Sequence, residues 1–290
     1  MRIRCRFMRF PEGKAKAVTF SYDDGAPGDL RTADTLAKAG MKCTFNLNMQ
    51  EGYENRITAQ EVREHMLDKG HEIAVHGAFH RAPGKHRPIE GIRDVLDCRL
   101  AMEKEFGMIV RGMAYPDSGI KICLPETDYE TIRGYLKDLD IVYARTLAGD
   151  NKEFRLPEDW YAWMPSVHAT NPEIFDYIDA FLKLDPIGDS YGAARDSRLF
   201  YLWGHTFEFE RESFGLGWEH LDRICEKLGG HDDIWYATNM EIYNYVEAYK
   251  ALSFSADSTM VYNPTLIPVW FDINRKVYVI NPGETIKIED

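Results

Sequence analysis

Two adjacent carboxylates, Asp23 and Asp24, close an apolar run in the stretch "TFSYDDGAPG", residues 19–28. Like charges placed side by side repel unless a turn or a cation accommodates them. Other apolar runs end on comparable chemistry. "HEIAVH" ends on His76, with His80 four residues on; "AYP" is followed by Asp117; "LFYLWGH" ends on His205. Imidazole and carboxylate are the side chains that ligate divalent transition metals and move protons near neutral pH. Two imidazoles and one carboxylate leave coordination positions open for water, which is a catalytic rather than a structural pattern. A cation would stabilise the acid pair, with one aspartate ligating and the other free to accept a proton. Taken alone, Asp23-Asp24-Gly25 reads more readily as a turn capping the next helix, and an HxxxH pair arises easily by chance among nine histidines. Their joint placement at strand ends favours the chemical reading.

The elements that would carry these residues alternate. Strands are expected at about 17–22, 42–47, 71–76, 112–116, 141–144 and 197–205. Helices are expected at about 28–39, 58–70, 88–106, 129–140, 171–184, 216–228 and 239–251. Thr58 and Glu61 have capping-box spacing, and Gly40 and Gly70 sit where helices end on a left-handed residue. Strand–helix alternation implies a parallel sheet with helices outside, and in such folds sites form at the C-terminal strand ends. After about residue 253 the helical period stops, and short strands are broken by Asn263-Pro264 and Pro282-Gly283. The expected organisation is one barrel-like domain over 1–252 and a small β appendage over 253–290.

Composition narrows the function. The chain has 290 residues, 44% of them hydrophobic, and a net charge of −12. That balance argues against nucleic-acid and anionic-membrane partners, which need a basic face. Five widely spaced cysteines without a CxxC pair suggest reduced thiols. The basic start "MRIRCRFMRF" alternates like a half-buried strand and has no apolar signal core, and no run approaches the ~20 apolar residues of a membrane span. A cytoplasmic protein is expected, and a homo-oligomer is compatible with the sequence.

The motifs "TFSYDDG", "HEIAVHGAFH", "AYPDSG" and "FYLWGHTFEF" resemble, in that order, those of polysaccharide deacetylases, the carbohydrate esterase family 4 enzymes with the NodB homology domain. The resemblance covers about 15–250. It implies a distorted, incomplete (β/α) barrel and a hydrolase that removes N- or O-acetyl groups with one divalent metal ion. Zinc comes first, with cobalt, nickel, iron or manganese as alternatives. It implies Asp24, His76 and His80 as metal ligands, Asp23 as general base, His205 as general acid and the Asp117 backbone N–H as oxyanion donor. Tyr115, Trp203, His168 and Arg145 are candidates for substrate binding. Among the aromatic residues nearby, Tyr22 and Trp203 read more readily as core, and at least one of Trp160 and Trp163 should be core. "EFERE", 208–212, reads as a solvated loop.

Three departures from the family pattern stand out: "SYDDG" for TFDDG; Gly77 where Ser or Thr is usual; and Ala114 and Asp117 flanking Tyr115 and Pro116 where arginine and tyrosine are usual. The arginine that would orient Asp23 is therefore missing from its place, and Arg145 or Arg111 are the substitutes within reach. The implied function is a metal-dependent carbohydrate deacetylase acting on a small acetylated saccharide. The competing readings are a non-catalytic carbohydrate-binding relative and an amidohydrolase on a non-sugar amide.

Overall fold

In the computed structural model the described residues are 5–49, 56–147, 151–188 and 193–288, so the first four residues of the expected N-terminal strand lie outside them. The chain begins with β1 (Arg6–Arg9). It then alternates β2 (Lys16–Asp23), α1 (Gly28–Lys38), β3 (Cys43–Leu47), α2 (Ala59–His65), β4 (Glu72–Val75), α3 (Pro88–Phe106), β5 (Gly112–Ala114), α4 (Tyr129–Asp138) and β6 (Tyr143–Arg145). There follow β7 (Val167–His168), α5 (Ile174–Leu182), β8 (Arg198–His205), α6 (Phe207–Glu210), α7 (Trp218–Leu228), β9 (Ile234–Tyr236) and α8 (Asn239–Lys250). The last elements are β10 (Ser253–Phe254), β11 (Met260–Tyr262), β12 (Val269–Ile273), β13 (Lys276–Ile280) and β14 (Thr285–Lys287).

The large sheet is parallel, in the order β6-β5-β4-β3-β2-β8-β7, with β9 beside the first residues of β2. It curls into an incomplete barrel. On the β6 side of the gap between β6 and β7, Arg145 forms an isolated bridge to Trp163. Pro165, which has no N–H to give a ladder, sits between Trp163 and β7 and explains the interruption. β7 and β9, of two and three residues, were not anticipated from the sequence.

Alternation along the strands sorts the core. Val18, Phe20, Tyr22, Phe45, Phe200 and Leu202 face the helices in one apolar cluster with Leu36, Val95 and Ile224. The helices end where their caps dictate. Thr58 and Glu61 form the capping box of α2, and the left-handed Gly70 stops the short 3₁₀ turn that follows it. Trp160 and Trp163 pack edge to face on a 3₁₀ turn rather than a strand, both buried.

β1 does not join the barrel sheet. It pairs with β12, which pairs with β13, while β10, β11 and β14 form a second small antiparallel sheet. This C-terminal layer rests on α8 through Ala248 and Leu252 against Val261, Phe271 and Ile280. A buried charge cluster pins it. Asp272 of β12 accepts from Arg195 at 2.7 Å and lies 3.6 Å from Arg9 of β1, all three fully enclosed. Removing the one anion strands two buried guanidinium groups, and breaking a buried pair costs about 3–5 kcal/mol. Asp272→Ala should lose stability of that size in urea denaturation; a loss below about 1 kcal/mol would mean the cluster does not pin the layer.

Candidate active site

Strand register brings the candidate residues together. Asp23, the last residue of β2, lies opposite Asn46 of β3 on one side and His205 of β8 on the other. Ala114 lies opposite Arg145, and His168 opposite Trp203. The strands therefore deliver the acid, the imidazole and an arginine to one end of the barrel.

Asp24 turns out of the strand at φ +84, and His80 and Asp117 also hold positive φ values, +53 and +54. Left-handed backbone costs an L-residue roughly 1–2 kcal/mol and persists where its surroundings fix it, often at functional sites. Asp24 Oδ1 lies 3.3 Å from His80 Nε2 and 3.6 Å from His76 Nε2. His76 Nδ1 is 3.0 Å from the Ala114 carbonyl, which assigns the proton to Nδ1 and leaves the Nε2 lone pair facing Asp24. That Nε2 is buried and has no hydrogen-bond partner among the described residues. Burial raises the Asp24 carboxyl, but the His80 hydrogen bond and the neighbouring imidazoles outweigh it and hold the group at about 2. The His80 imidazole is raised by its bond to Asp24, whereas burial pushes His76 down. A carboxylate and two imidazoles, their ligand atoms within 4.8 Å of one another and one nitrogen orphaned, fit a divalent transition metal.

The HxxxH loop explains Gly77. Its φ is +77, and a Cβ there would lie 2.2 Å from Asp94 Oδ2. Asp94 of α3 instead reaches into the loop. Its Oδ1 accepts from Phe79 N–H at 2.6 Å and its backbone carbonyl accepts from Ala78 N–H at 3.0 Å. The hydroxyl absent from position 77 is replaced by a carboxylate from a helix.

Asp23 is held at both oxygens. Arg145 Nη2 donates to Oδ2 at 2.5 Å and Asn46 Nδ2 to Oδ1 at 2.8 Å. Arg145, expected at the substrate, is wholly buried and serves the aspartate, filling the place of the absent third-motif arginine. Arg111 instead pairs with Asp140 at 2.7 Å on the surface. Two other expectations need correction. Tyr115 is fully buried, its hydroxyl bonded to the Tyr161 carbonyl at 2.9 Å, so it presents nothing to a ligand. The Trp203 ring lies under the Arg145 guanidinium at 4.3 Å and against His168 at 4.4 Å, so it supports those two side chains rather than a sugar.

His205 Nε2 lies 3.9 Å from Asp23 Oδ2. Its Nδ1 is 3.0 Å from Glu208 Oε1, and its backbone N–H donates to Glu208 Oε2 at 3.1 Å. His168 Nε2 approaches the same Oε1 at 3.3 Å, so this carboxylate holds both imidazoles. Glu208 was expected in a solvated loop. It sits instead on α6, 3% exposed. Burial raises its carboxyl, yet the two histidines bring it to about 2. Burial would lower His205, but the Glu208 bond and the charges of Asp23 and Asp24 raise it above the ordinary imidazole value. The readable hint was its spacing: His205 and Glu208 are three apart, and a turn of helix places them together. Asp117 pairs with Lys85 at 2.6 Å, and its charge reaches His80.

Residues 11–124 match the family model described as polysaccharide deacetylase, a span that holds Asp23, Asp24, His76, His80 and Asp117 but not His205. No curated protein matches the chain. A protein assigned as a polysaccharide deacetylase from Mycobacterium smegmatis is 18% identical with a TM-score of 0.53, over 83% of this chain and 93% of its own. That likeness is one of fold. Peptidoglycan deacetylase PdaC from Bacillus subtilis, 18% identical, aligns at a TM-score of 0.48 over 83% of this chain and 96% of its own. A family 4 carbohydrate esterase from Streptomyces lividans, 14% identical, aligns at 0.46 over 77% and 92%.

If Glu208 holds the imidazolium of His205, Glu208→Gln should move the His205 pKa downward in a side-chain NMR titration. An unchanged titration would remove Glu208 from that role.

Proposed function

We propose that the protein is a metal-dependent hydrolase that removes the acetyl group from an acetylated sugar, with an N-acetyl amide on a small intracellular saccharide as the favoured target, a reading supported by the match of residues 11–124 to the polysaccharide deacetylase model and by the likeness in fold. The observation that carries this reading is the buried, partnerless Nε2 of His76 beside Asp24 and His80. These three residues would hold the ion. Such an ion acidifies a water molecule and polarises the acyl carbonyl. The identity of the metal is left to measurement, with zinc the first expectation from the nitrogen and oxygen donors.

The chain's own residues do the rest. Asp23 takes the proton released as water attacks, its carboxylate fixed by Arg145 and Asn46. The Asp117 backbone N–H donates to the developing oxyanion, which preorganised donors stabilise. His205, held by Glu208, gives its Nε2 proton to the departing nitrogen or oxygen. Atoms balance: water adds to the acyl carbon, acetate leaves, and the sugar departs with the proton from His205. Phe79 and Phe214, each more than two-fifths exposed, supply apolar surface for sugar faces.

Purified protein should contain one equivalent of divalent metal. Acetate release from di-N-acetylchitobiose should stop on chelation and return with added metal. Asp24→Asn should lose the ion. Asp23→Asn should keep it and lower kcat by ~10²–10⁴, the usual contribution of a general base. Full turnover by chelated protein, or by Asp23→Asn, would overturn the reading. Because His205 must carry its proton, kcat/KM should fall as pH rises through its raised pKa, so the alkaline limb lies above the ordinary imidazole value.

A further inference from the structure

The interior of a (β/α) barrel is usually filled by branched apolar side chains. Much of this one is not. The buried residues facing inward include Thr19 and Ser21 on β2, Thr44 and Asn46 on β3, and Tyr201 on β8. A buried polar group left unpaired costs ~1–3 kcal/mol, so such a lumen is stable only if its members bond to one another.

Most of them do, in a column of two hydrogen-bonded segments that meet at Tyr201 and Ser21. Glu72 of β4 accepts from Tyr143 at 2.5 Å and from Thr44 at 2.8 Å. Thr44 Oγ1 accepts from the Asn239 N–H at 3.0 Å. The Asn239 side chain takes the Thr19 hydroxyl at 2.9 Å and donates to Tyr201 at 2.6 Å. The Tyr201 hydroxyl lies close enough to Ser21 for the two groups to interact. Asn46 Nδ2 donates to Ser21 Oγ at 2.7 Å and to Asp23 Oδ1 at 2.8 Å. The column thus runs from Glu72, whose carboxyl burial raises, to the aspartate at the open end.

We infer that Asn46 is a positioning residue for Asp23, and that the polar column fixes Asn46. The inference rests on the reading of Asp23 as the base. The amide is held chiefly by its NH₂ group, because its Oδ1 is buried without a partner among the described residues. An NH₂ group has two hydrogens, and Ser21 and Asp23 take the two shortest bonds. The direction of the second bond, and so the plane of the Asp23 carboxylate, is set by where Ser21 stands. Arg145 alone leaves that plane free to turn about one contact, although His205 and His76 each lie 3.9 Å from the same Oδ2. A misplacement of about 1 Å at a reacting group costs ~10² in rate.

The test uses Asn46→Leu, near in shape but unable to donate, and Tyr201→Phe, which removes one hydroxyl farther down the column. In metal-loaded Asn46→Leu, kcat for acetate release from di-N-acetylchitobiose should fall ~10²-fold while KM stays within about twofold. Tyr201→Phe should lower kcat several-fold in the same pattern and add little in the double variant. A merely structural role would lower Tm and leave kcat and KM of the folded protein unchanged. A crystal structure of Asn46→Leu should show the Asp23 carboxylate rotated or in two orientations; this readout needs no substrate and, if Asn46→Leu fails to fold, is taken on Tyr201→Phe. An unmoved Asp23 with undiminished kcat, beside an inactive Asp23→Asn, overturns this inference alone. An active Asp23→Asn overturns instead the reading of Asp23 as base.

Discussion

The site depends on the ion pair between Asp23 and Arg145. Asp23 is 1% exposed and Arg145 fully buried, and neither charge is stable there without the other. The pair fixes more than itself. Arg145 lies over Trp203, Trp203 packs against His168, and His168 shares Glu208 with His205. One buried cation on β6 is therefore in contact, through two rings and a carboxylate, with the imidazole at the end of β8. The negative charge is also limited elsewhere. Asp29, enclosed on α1 behind the acid pair, is pushed up to about 8 by burial and by Asp24 and Asp23, and it accepts a hydrogen bond from Thr206. Near neutral pH it adds a neutral acid rather than another anion.

Much of this was legible. Asp23, Asp24, His76, His80 and His205 could be named because each follows an apolar run, and a parallel fold puts strand ends in one place. What the sequence could not show was register. Asn46 looks like one polar residue inside a strand until β3 is set beside β2; Arg145 looks no better placed than Arg111 until β6 is set beside β5. Arg111 lies at the far end of β5 and faces solvent, whereas Arg145 closes β6 at the end where the site lies. Tyr115, and Trp203 where it was offered to substrate rather than to the core, were misplaced for a related reason. Adjacency to a motif says nothing about which face of the strand a side chain takes, and both rings turn into packed interior.

Departures from the family pattern are answered in space rather than in sequence. The third-motif arginine is replaced from β6, and the hydroxyl at position 77 by Asp94 of α3. In both cases the replacement keeps the chemical group required, a cation for Asp23 and an acceptor for loop N–H groups. Only the element that carries it changes. Such exchanges are invisible to reading along the chain, because the compensating residue lies far from the gap it fills.

Two clusters here share one donor set, a carboxylate and two imidazoles, and they differ in a way that assigns them different work. In the His168, His205 and Glu208 group, both carboxylate oxygens and three of the four ring nitrogens are engaged in hydrogen bonds or close ion pairs. His205 Nδ1 and His168 Nε2 share Glu208, His168 Nδ1 meets Thr170 at 2.8 Å, and the second Glu208 oxygen takes a backbone N–H. Such a set, with Glu208 holding both imidazoles, is suited to keep a proton on His205. In the Asp24, His76 and His80 group, the His76 proton is committed to the Ala114 carbonyl, and the opposite nitrogen is buried and partnerless. Hydrogen bonding cannot complete that set, because two lone pairs, on His76 Nε2 and the Asp24 carboxylate, face each other across 3.6 Å. An electron-pair acceptor between them would resolve the conflict, and a divalent cation is the kind of acceptor that suits these donors.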